Sequence, residues 1–191
     1  MYVATVLGCR EYLGFDASPN AISSAHAIPV PVGLSARFEV ADFGRPPVNT
    51  GCPPAAALAY DSLYLAKDLP AALRSVRVLG GERSGLWLTA YVGEGVHEAG
   101  VQGRTENEWR EALASAGFDI DGVEDVSAEW REFGRRLHNA RLAASTAVLR
   151  ELGTATGSQA LWISRRMLGL DGRMSFLGSV RRVEISSRVR R

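Results

Sequence analysis

The sequence has little cysteine. Its two cysteines, Cys9 and Cys52, belong to no Cys-x-x-Cys or mixed Cys/His pattern. Disulfide frameworks and structural zinc sites depend on several closely spaced ligands, so the sequence predicts neither of them. We therefore expect no metal site and a reduced, cytoplasmic setting.

Long apolar runs and an excess of one charge are also missing. No window approaches the about 18 to 20 apolar residues of a membrane helix, and the start, MYVATVLGC, lacks the basic residues and the length of a signal peptide. The 22 Lys and Arg residues balance the 21 Asp and Glu residues. No strong field draws the chain to nucleic acid or to a membrane, and we expect neither partner. We interpret the basic tail, RRVEISSRVRR, as a solvated strand edge and chain end rather than a phosphate-binding patch.

The chain does contain enough apolar residues for a core. Its 191 residues are 46% hydrophobic, which suits one domain. Strand and helix patterns alternate in the order strand, helix, strand, strand, helix, strand as far as GLWLTAYV at 85–92. Such alternation is typical of an α/β fold with a mainly parallel sheet and helices on both faces. We divide the domain into a core (1–126), a helical cover (127–170) and a terminal strand (171–191).

Several local signals fix individual elements. Ser18-Pro19 predicts a helix start, and Thr105 with Glu108 forms a capping box. Gly122 predicts a bulge or a turn within the strand FDIDGVEDV. The apolar spacing predicts a long helix over 127–152, a further helix over about 159–168, and a last strand around 183–185.

Polar side chains follow three of the predicted strands. Asp16 ends the first, Asp42 ends the second, and Tyr60, Asp61 and Ser62 follow the third. In open α/β sheets, ligands bind beyond the carboxyl ends of the strands. The sequence therefore predicts a binding site at these three ends.

Five segments resemble the class I S-adenosylmethionine-dependent methyltransferases, in particular those acting on small molecules. They are YLGFDASPNAI (12–22), FEVADF (38–43), YDSLYLAKD (60–68), AALRSVRVLGGERSGLWLTAY (71–91) and EWREALASAGFDIDGVEDVS (108–127). Each segment alone is weak, but all five occur in the family's order. The resemblance is close over residues 1 to about 127.

The resemblance implies S-adenosylmethionine as cofactor. Asp16 would then accept both ribose hydroxyls, and Asp42 would accept the adenine amino group between Ala41 and Phe43. Tyr60 and Asp61 would lie near the methionine part and the transferred methyl. The full set implied is Asp16, Ala17, Ser18, Ala41, Asp42, Phe43 and Tyr60 for the cofactor, and Asp61, Tyr64, Tyr91, His97 and Trp130 for the substrate.

The same residues also have purely structural interpretations. An aspartate after a strand is often a turn former or a helix cap. Four aromatic residues are more typical of core or pocket wall than of catalysis: Tyr64, Trp87, Tyr91 and Trp109. His97 is either a general base or an exposed histidine of a Gly-rich loop, and we favour the loop.

The family's Gly-rich D-x-G-x-G-x-G loop and the strand before it are absent from this sequence. The resemblance implies that the chain begins in the last turns of the family's first helix. The missing strand is the central one of the family order 3-2-1-4-5-7-6, so its place must be closed, covered or filled. Propensity favours a strand for residues 2–7, whereas the resemblance favours a helix end, which we prefer.

We therefore predict a methyltransferase acting on a small molecule, with the stretch 127–170 closing over the pocket. Trp130 and Phe133 are the candidate wall residues. The alternative is a truncated, non-catalytic protein that acts as an oligomer or interaction module. A nicotinamide dehydrogenase also carries an acidic residue after its second strand, but the segments D-x-S-P-x-A-I and Y-D-S-L disfavour it.

Overall fold

The computed structural model describes residues 8–43, 54–60, 62–93, 96–97, 101–151, 153–154, 157–158 and 181–190. Its strands are β1 (Glu11–Asp16), β2 (Ser35–Val40), β3 (Ala56–Ala59), β4 (Gly85–Val92), β5 (Val96–His97), β6 (Val101–Gln102), β7 (Phe118–Asp125) and β8 (Arg181–Val189). Its helices are α1 (Pro19–His26), α2 (Leu69–Gly80), α3 (Glu106–Ser115) and α4 (Ser127–Ala143), with single 3-10 turns at Leu63–Leu65 and Gly81–Arg83.

The strands form two principal sheets. β1 pairs in parallel with β2, and β3 pairs in parallel with β4 in a four-stranded sheet of order β3-β4-β8-β7. β8 runs antiparallel to both of its neighbours. This arrangement confirms the predicted α/β fold, and the predicted order of elements up to β4 is confirmed as well. Among the described residues, no ladder joins the two sheets.

The tail was predicted to be a solvated strand edge, and that prediction is wrong. β8 lies inside the four-stranded sheet, between β4 and β7. Its alternate residues Val183 and Ile185 are 1% and 0% exposed. This period-two apolar pattern, from which the last strand was predicted, is also the signal of a strand that covers a core.

The core lies between one face of the four-stranded sheet and helices α2 and α3. Leu86, Leu88 and Ala90 point to this face from β4, because alternate side chains of a strand share one side. Leu113 and Trp109 of α3 are both 0% exposed. Full burial of such side chains stabilises the fold by about 1.5 to 3 kcal/mol each.

The helix starts follow the predicted signals. Ser18 Oγ accepts a hydrogen bond from Ala21 N at 3.3 Å, which caps α1. At α3 the capping box is confirmed, because Thr105 Oγ1 accepts from Glu108 N at 3.2 Å and Glu108 Oε2 accepts from Thr105 N at 2.6 Å. These bonds satisfy amide donors that a helix start otherwise leaves free.

Two later predictions differ in outcome. The bulge at Gly122 is confirmed, since the register of β7 shifts between Ile120 and Gly122. The single helix over 127–152 is wrong: α4 ends at Ala143, Ala144 leaves helical geometry, and residues 145–151 are helical again. No glycine or proline marks this break, so composition carries no sign of it. The predicted helix at 159–168 and the conformation of residues 2–7 lie outside the described residues.

No helix in the described part of the chain is long and apolar enough to cross a membrane.

Candidate functional site

The carboxyl ends of β1 and β2 bring the predicted cofactor residues side by side. Asp16 is in register with Val40, and Ala41 N donates to the backbone oxygen of Asp16 at 3.0 Å. The segment 41–43 therefore runs directly beside Asp16 at one rim. The rings of Phe15 and Phe43 meet edge to face, with centroids 6.2 Å apart.

Asp16 also shapes the turn that leads into α1. Its Oδ1 accepts a hydrogen bond from Ser18 N at 2.7 Å, so the turn-forming interpretation is correct for one carboxylate oxygen. Asp16, Ala17 and Ser18 are all exposed to solvent. The turn fixes the carboxylate at the amino end of a helix, and the group still faces outward with its second oxygen.

The segment after β2 links the two sheets. Ala41 and Phe43 are partly buried, while Asp42 is exposed. Phe43 packs against the core cluster of the four-stranded sheet. The residues predicted to surround an adenine ring therefore stand between the two sheets.

A buried arginine that the sequence did not single out lies at the rim of the other sheet. Arg182 is the second residue of β8 and lies opposite Tyr91 of β4, and it is 2% exposed. Its Nη1 donates to Tyr91 Oη at 2.8 Å, and its Nη2 donates to Thr89 Oγ1 at 3.3 Å. Because β8 is antiparallel, its first residues stand at the same rim as the last residues of β4.

Three aromatic rings surround this guanidinium. Its Cζ lies 3.5 Å from the ring centroid of Trp130, 5.1 Å from that of Tyr91 and 5.2 Å from that of Tyr60. Such contacts are attractive because the ring faces carry negative potential. We call Arg182, Tyr60, Tyr91 and Trp130 the Arg182 cluster. Phe133 stacks on the outer side of Trp130, with centroids 5.3 Å apart.

The backbone of Arg182 fixes the start of α4 above the sheet. Arg182 N donates to Ser127 Oγ at 2.9 Å, and Val126 N donates to Arg182 O at 2.9 Å. Hydrogen bonds from Ser127 hold the pKa of the Asp125 carboxyl below its usual value. The first turn of the predicted cover is thereby attached to the sheet, which places Trp130 over the guanidinium.

Tyr64 borders the cluster behind Tyr91. The two rings meet edge to face at 4.9 Å. Arg104 donates to the backbone oxygens of Tyr64 and Ala66 at 3.2 and 2.8 Å, and burial lowers the pKa of its guanidinium. These bonds fix the 3-10 turn that carries Tyr64.

The structure thus brings together four of the sequence-predicted residues: Tyr60, Tyr64, Tyr91 and Trp130. The prediction that His97 lies in a loop is wrong for the backbone, because Val96 and His97 form β5 and pair with β6. Its side chain and all of Asp61 lie outside the described residues. Arg182 was missed, although the apolar positions 183 and 185 already imply that residue 182 points to the opposite face.

A cavity of about 270 Å³ lies farther along the same face of the four-stranded sheet. It is lined by Trp87, Gly122, Val123, Glu124, Glu184 and Ser186. None of these residues stands at the rim where Asp16 or the Arg182 cluster lies, so we do not assign the cavity to the candidate site. In the described part of the chain, no three His, Cys, Asp or Glu side chains come together, and Cys9 is exposed.

No family model matches the sequence, and no curated protein matches it. Solved structures do. The [4+2]-cyclase SpnF shares 22% identity at a TM-score of 0.65, over 93% of this chain and 65% of that one. The mycolic acid cyclopropane synthase CmaA1, complexed with S-adenosylhomocysteine, shares 12% identity at a TM-score of 0.75, over 97% of this chain and 73% of that one.

An O-methyltransferase from a trans-AT polyketide synthase of Brevibacillus brevis, also in complex with S-adenosylhomocysteine, shares 15% identity at a TM-score of 0.63. The match covers 98% of this chain and 61% of that one. The chain thus spans somewhat under two thirds of this enzyme and of SpnF, and somewhat more of CmaA1. The chain has the Rossmann-like fold of the class I S-adenosylmethionine-dependent methyltransferases.

Proposed function

We propose that this protein is an S-adenosylmethionine-dependent methyltransferase that acts on a small-molecule acceptor in the cytoplasm. One observation carries the proposal. In a chain with the methyltransferase fold, an exposed carboxylate at the end of β1 lies directly beside the segment 41–43 at the end of β2, joined to it by the 3.0 Å bond from Ala41 N to Asp16 O.

The residues at this rim fit an adenosyl group. A carboxylate has two oxygens, and charge-assisted bonds from hydroxyls to such oxygens are short and strong. Asp16 would accept both ribose hydroxyls, with Ala17 and Ser18 beside the sugar at the start of α1. Asp42 would accept the adenine amino group, with Ala41 and Phe43 against the ring.

The acceptor would lie toward the Arg182 cluster. Tyr60 follows β3 and would stand near the methionine part, and Tyr64, Tyr91 and Trp130 would form the wall, together with Asp61 and His97. When bound, S-adenosylmethionine supplies an electrophilic methyl. The protein side chains then need only to position the acceptor and exclude water, because effective molarities can reach about 10⁵ M for well-oriented groups.

Isothermal titration of the full chain with S-adenosylmethionine and S-adenosylhomocysteine tests the proposal. We expect binding at micromolar levels. Asp16→Asn keeps an oxygen that can accept from Ser18 N but loses the charge, so we expect about tenfold or greater loss of affinity, or about 1.4 kcal/mol. Asp68→Asn is the matched control, because Asp68 also accepts an amide hydrogen bond at a helix start, from Ala71 N at 2.8 Å, and is not among the proposed cofactor residues.

Absence of heat with the unmodified chain would contradict the proposal and favour the non-catalytic alternative, with the protein acting as an oligomer or interaction module. Equal affinity of the Asp16→Asn and unmodified proteins would remove Asp16 from the ribose site.

A further inference from the structure

Trp130 carries a buried hydrogen-bond donor at the edge of the Arg182 cluster. Its Nε1 is shielded from solvent and has no acceptor among the described residues. Leaving a buried donor unsatisfied costs about 1 to 3 kcal/mol. A native protein tolerates this cost where a ligand supplies the acceptor, so the indole N–H indicates an oxygen-bearing group beside Trp130.

The charge of Arg182 decides what kind of group fits there. Aromatic cages commonly bind cations, but here the guanidinium already occupies the position over all three rings, 3.5 Å from the nearest ring centroid. A second cation would be repelled by a charge that is 2% exposed and therefore weakly screened. An acceptor with negative charge is attracted by the same field.

The neighbouring carboxylates limit how much negative charge fits. Glu184 points to the same face of β8 as Arg182, because the two are two residues apart in a strand. Glu124 lies opposite Glu184 in register. A dianionic phosphate would bring two charges toward these carboxylates, whereas a carboxylate brings one. The repulsion between like charges, which solvent reduces at the exposed Glu124, is smaller for the single charge.

Access from solvent is provided by the outer members of the group. Tyr60 is 62% exposed and Phe133 is 44% exposed, and they lie on either side of Trp130. A ligand would contact these exposed rings first, and it would reach the shielded indole N–H only by displacing one of them. The site therefore suits a small molecule with an apolar or aromatic body and an acidic end.

We propose that the Arg182 cluster selects a carboxylate-bearing methyl acceptor, with Trp130 Nε1 donating to the carboxylate and the Arg182 guanidinium supplying the positive charge. This inference rests on the proposed function and names its substrate class. Arg182 and Trp130 are specificity-determining residues in this proposal.

Nuclear magnetic resonance of the ¹⁵N-labelled full chain tests the proposal directly. The four tryptophans give four indole signals, and Trp130→Phe identifies the signal of Trp130. The probes are phenylacetate, its neutral analogue phenylacetamide and the cation phenethylamine. We expect phenylacetate to shift the Trp130 signal downfield with saturation, phenylacetamide to bind at least about tenfold more weakly, and phenethylamine to leave the signal unmoved.

Two variants separate the contribution of the Arg182 charge from that of the Trp130 hydrogen bond. Arg182→Met keeps the length of the side chain and removes its charge, so it should abolish the preference for phenylacetate over phenylacetamide. Arg188→Met is the matched control, because Arg188 lies on the same strand with an exposed side chain paired to Asp121. Should Arg182→Met not fold, Trp130→Phe, which retains a ring over the guanidinium, should weaken phenylacetate binding by about tenfold, measured by isothermal titration because this variant lacks the Trp130 signal.

Equal affinity for phenylacetate and phenylacetamide, or a Trp130 signal that phenylacetate does not move, would overturn the inference even if S-adenosylmethionine binds. Conversely, a carboxylate preference in a protein that shows no heat with S-adenosylmethionine would leave the acidic site standing and remove the proposed methyl transfer.

Discussion

The two sheets differ in how they are held together. We call β1, α1 and β2 the β1–β2 unit; its buried apolar residues are Ile22 and Leu34, at 8% and 9% exposed. The four-stranded sheet instead packs a continuous cluster that includes Leu73, Trp109 and Leu113, all 0% exposed. Asp16, Ala17 and Ser18 occur on the weakly packed side, and the Arg182 cluster, which includes the proposed cofactor residue Tyr60, occurs on the well-packed side.

This difference indicates that the two sheets contribute differently to stability. Buried apolar area supplies most of the favourable free energy of folding, so the four-stranded sheet should set the global stability. The β1–β2 unit should open more readily, since regions with few buried contacts have low local stability. A ligand that binds this unit would then stabilise the part of the molecule with the lower local stability.

The largest expected effect comes from truncating the core. Leu113→Ala should lower the free energy of unfolding by about 2 to 5 kcal/mol, because it leaves a cavity at a fully buried site. Ile22→Ala, in the β1–β2 unit, should lower it by less than about 1 kcal/mol, since a locally opened unit contributes little to the global transition. Chemical denaturation followed by circular dichroism measures both. Equal losses would show that the two sheets unfold as one unit.

Hydrogen exchange measures the same contrast at the backbone. Amides of β1 and β2 should exchange at least about tenfold faster than those in the middle of β4 and β8. S-adenosylhomocysteine at 100 times its dissociation constant should slow the exchange of β1 and β2 by up to about hundredfold, corresponding to about 2.7 kcal/mol. At the same ligand concentration, Asp16→Asn should reduce this slowing to about tenfold or less. Equal exchange of both sheets without ligand would refute the proposed difference in local stability.

The smallest expected effect is a loss of stability in acid on the side of the four-stranded sheet. Hydrogen bonds from Arg110 and Arg181 lower the pKa of Glu106, and bonds from Thr105 lower that of Glu108. A folded pKa below the unfolded value gives stability that is present above the ordinary glutamate pKa and lost as the pH falls through the lowered one. Glu108 is exposed and Glu106 is partly exposed, so solvent screening keeps the effect small.

Thermal unfolding between pH 6 and pH 3 checks this expectation. The midpoint temperature of unfolding should decrease once the pH is below about 4.3, the ordinary pKa of glutamate. Glu106→Gln should make this decrease smaller. High salt should reduce the part that depends on the pair between Arg181 and Glu106, which are 3.1 Å apart. A midpoint that does not change over this range would show that these bonds contribute nothing.

Most elements of the fold could be predicted from local sequence signals. The strand 85–92 and the capping box at 105–108 were predicted because each depends on neighbouring residues alone. The interior position of β8 was not predicted, since strand neighbours are set by pairing between distant residues. For the same reason Arg182 was not predicted as a site residue, because its partner Tyr91 is 91 residues away in the sequence. Asp16 was found because the turn and helix signals that follow it are local.

The antiparallel β8 follows every other described element in the sequence, yet it is central to the larger sheet. During synthesis, the surface proposed for the adenosyl group emerges from the ribosome before Arg182 does. The half of the site that selects the acceptor can assemble only after β8 has been made, so a nascent chain stalled before residue 181 would lack both an inner strand of its larger sheet and its acceptor selectivity.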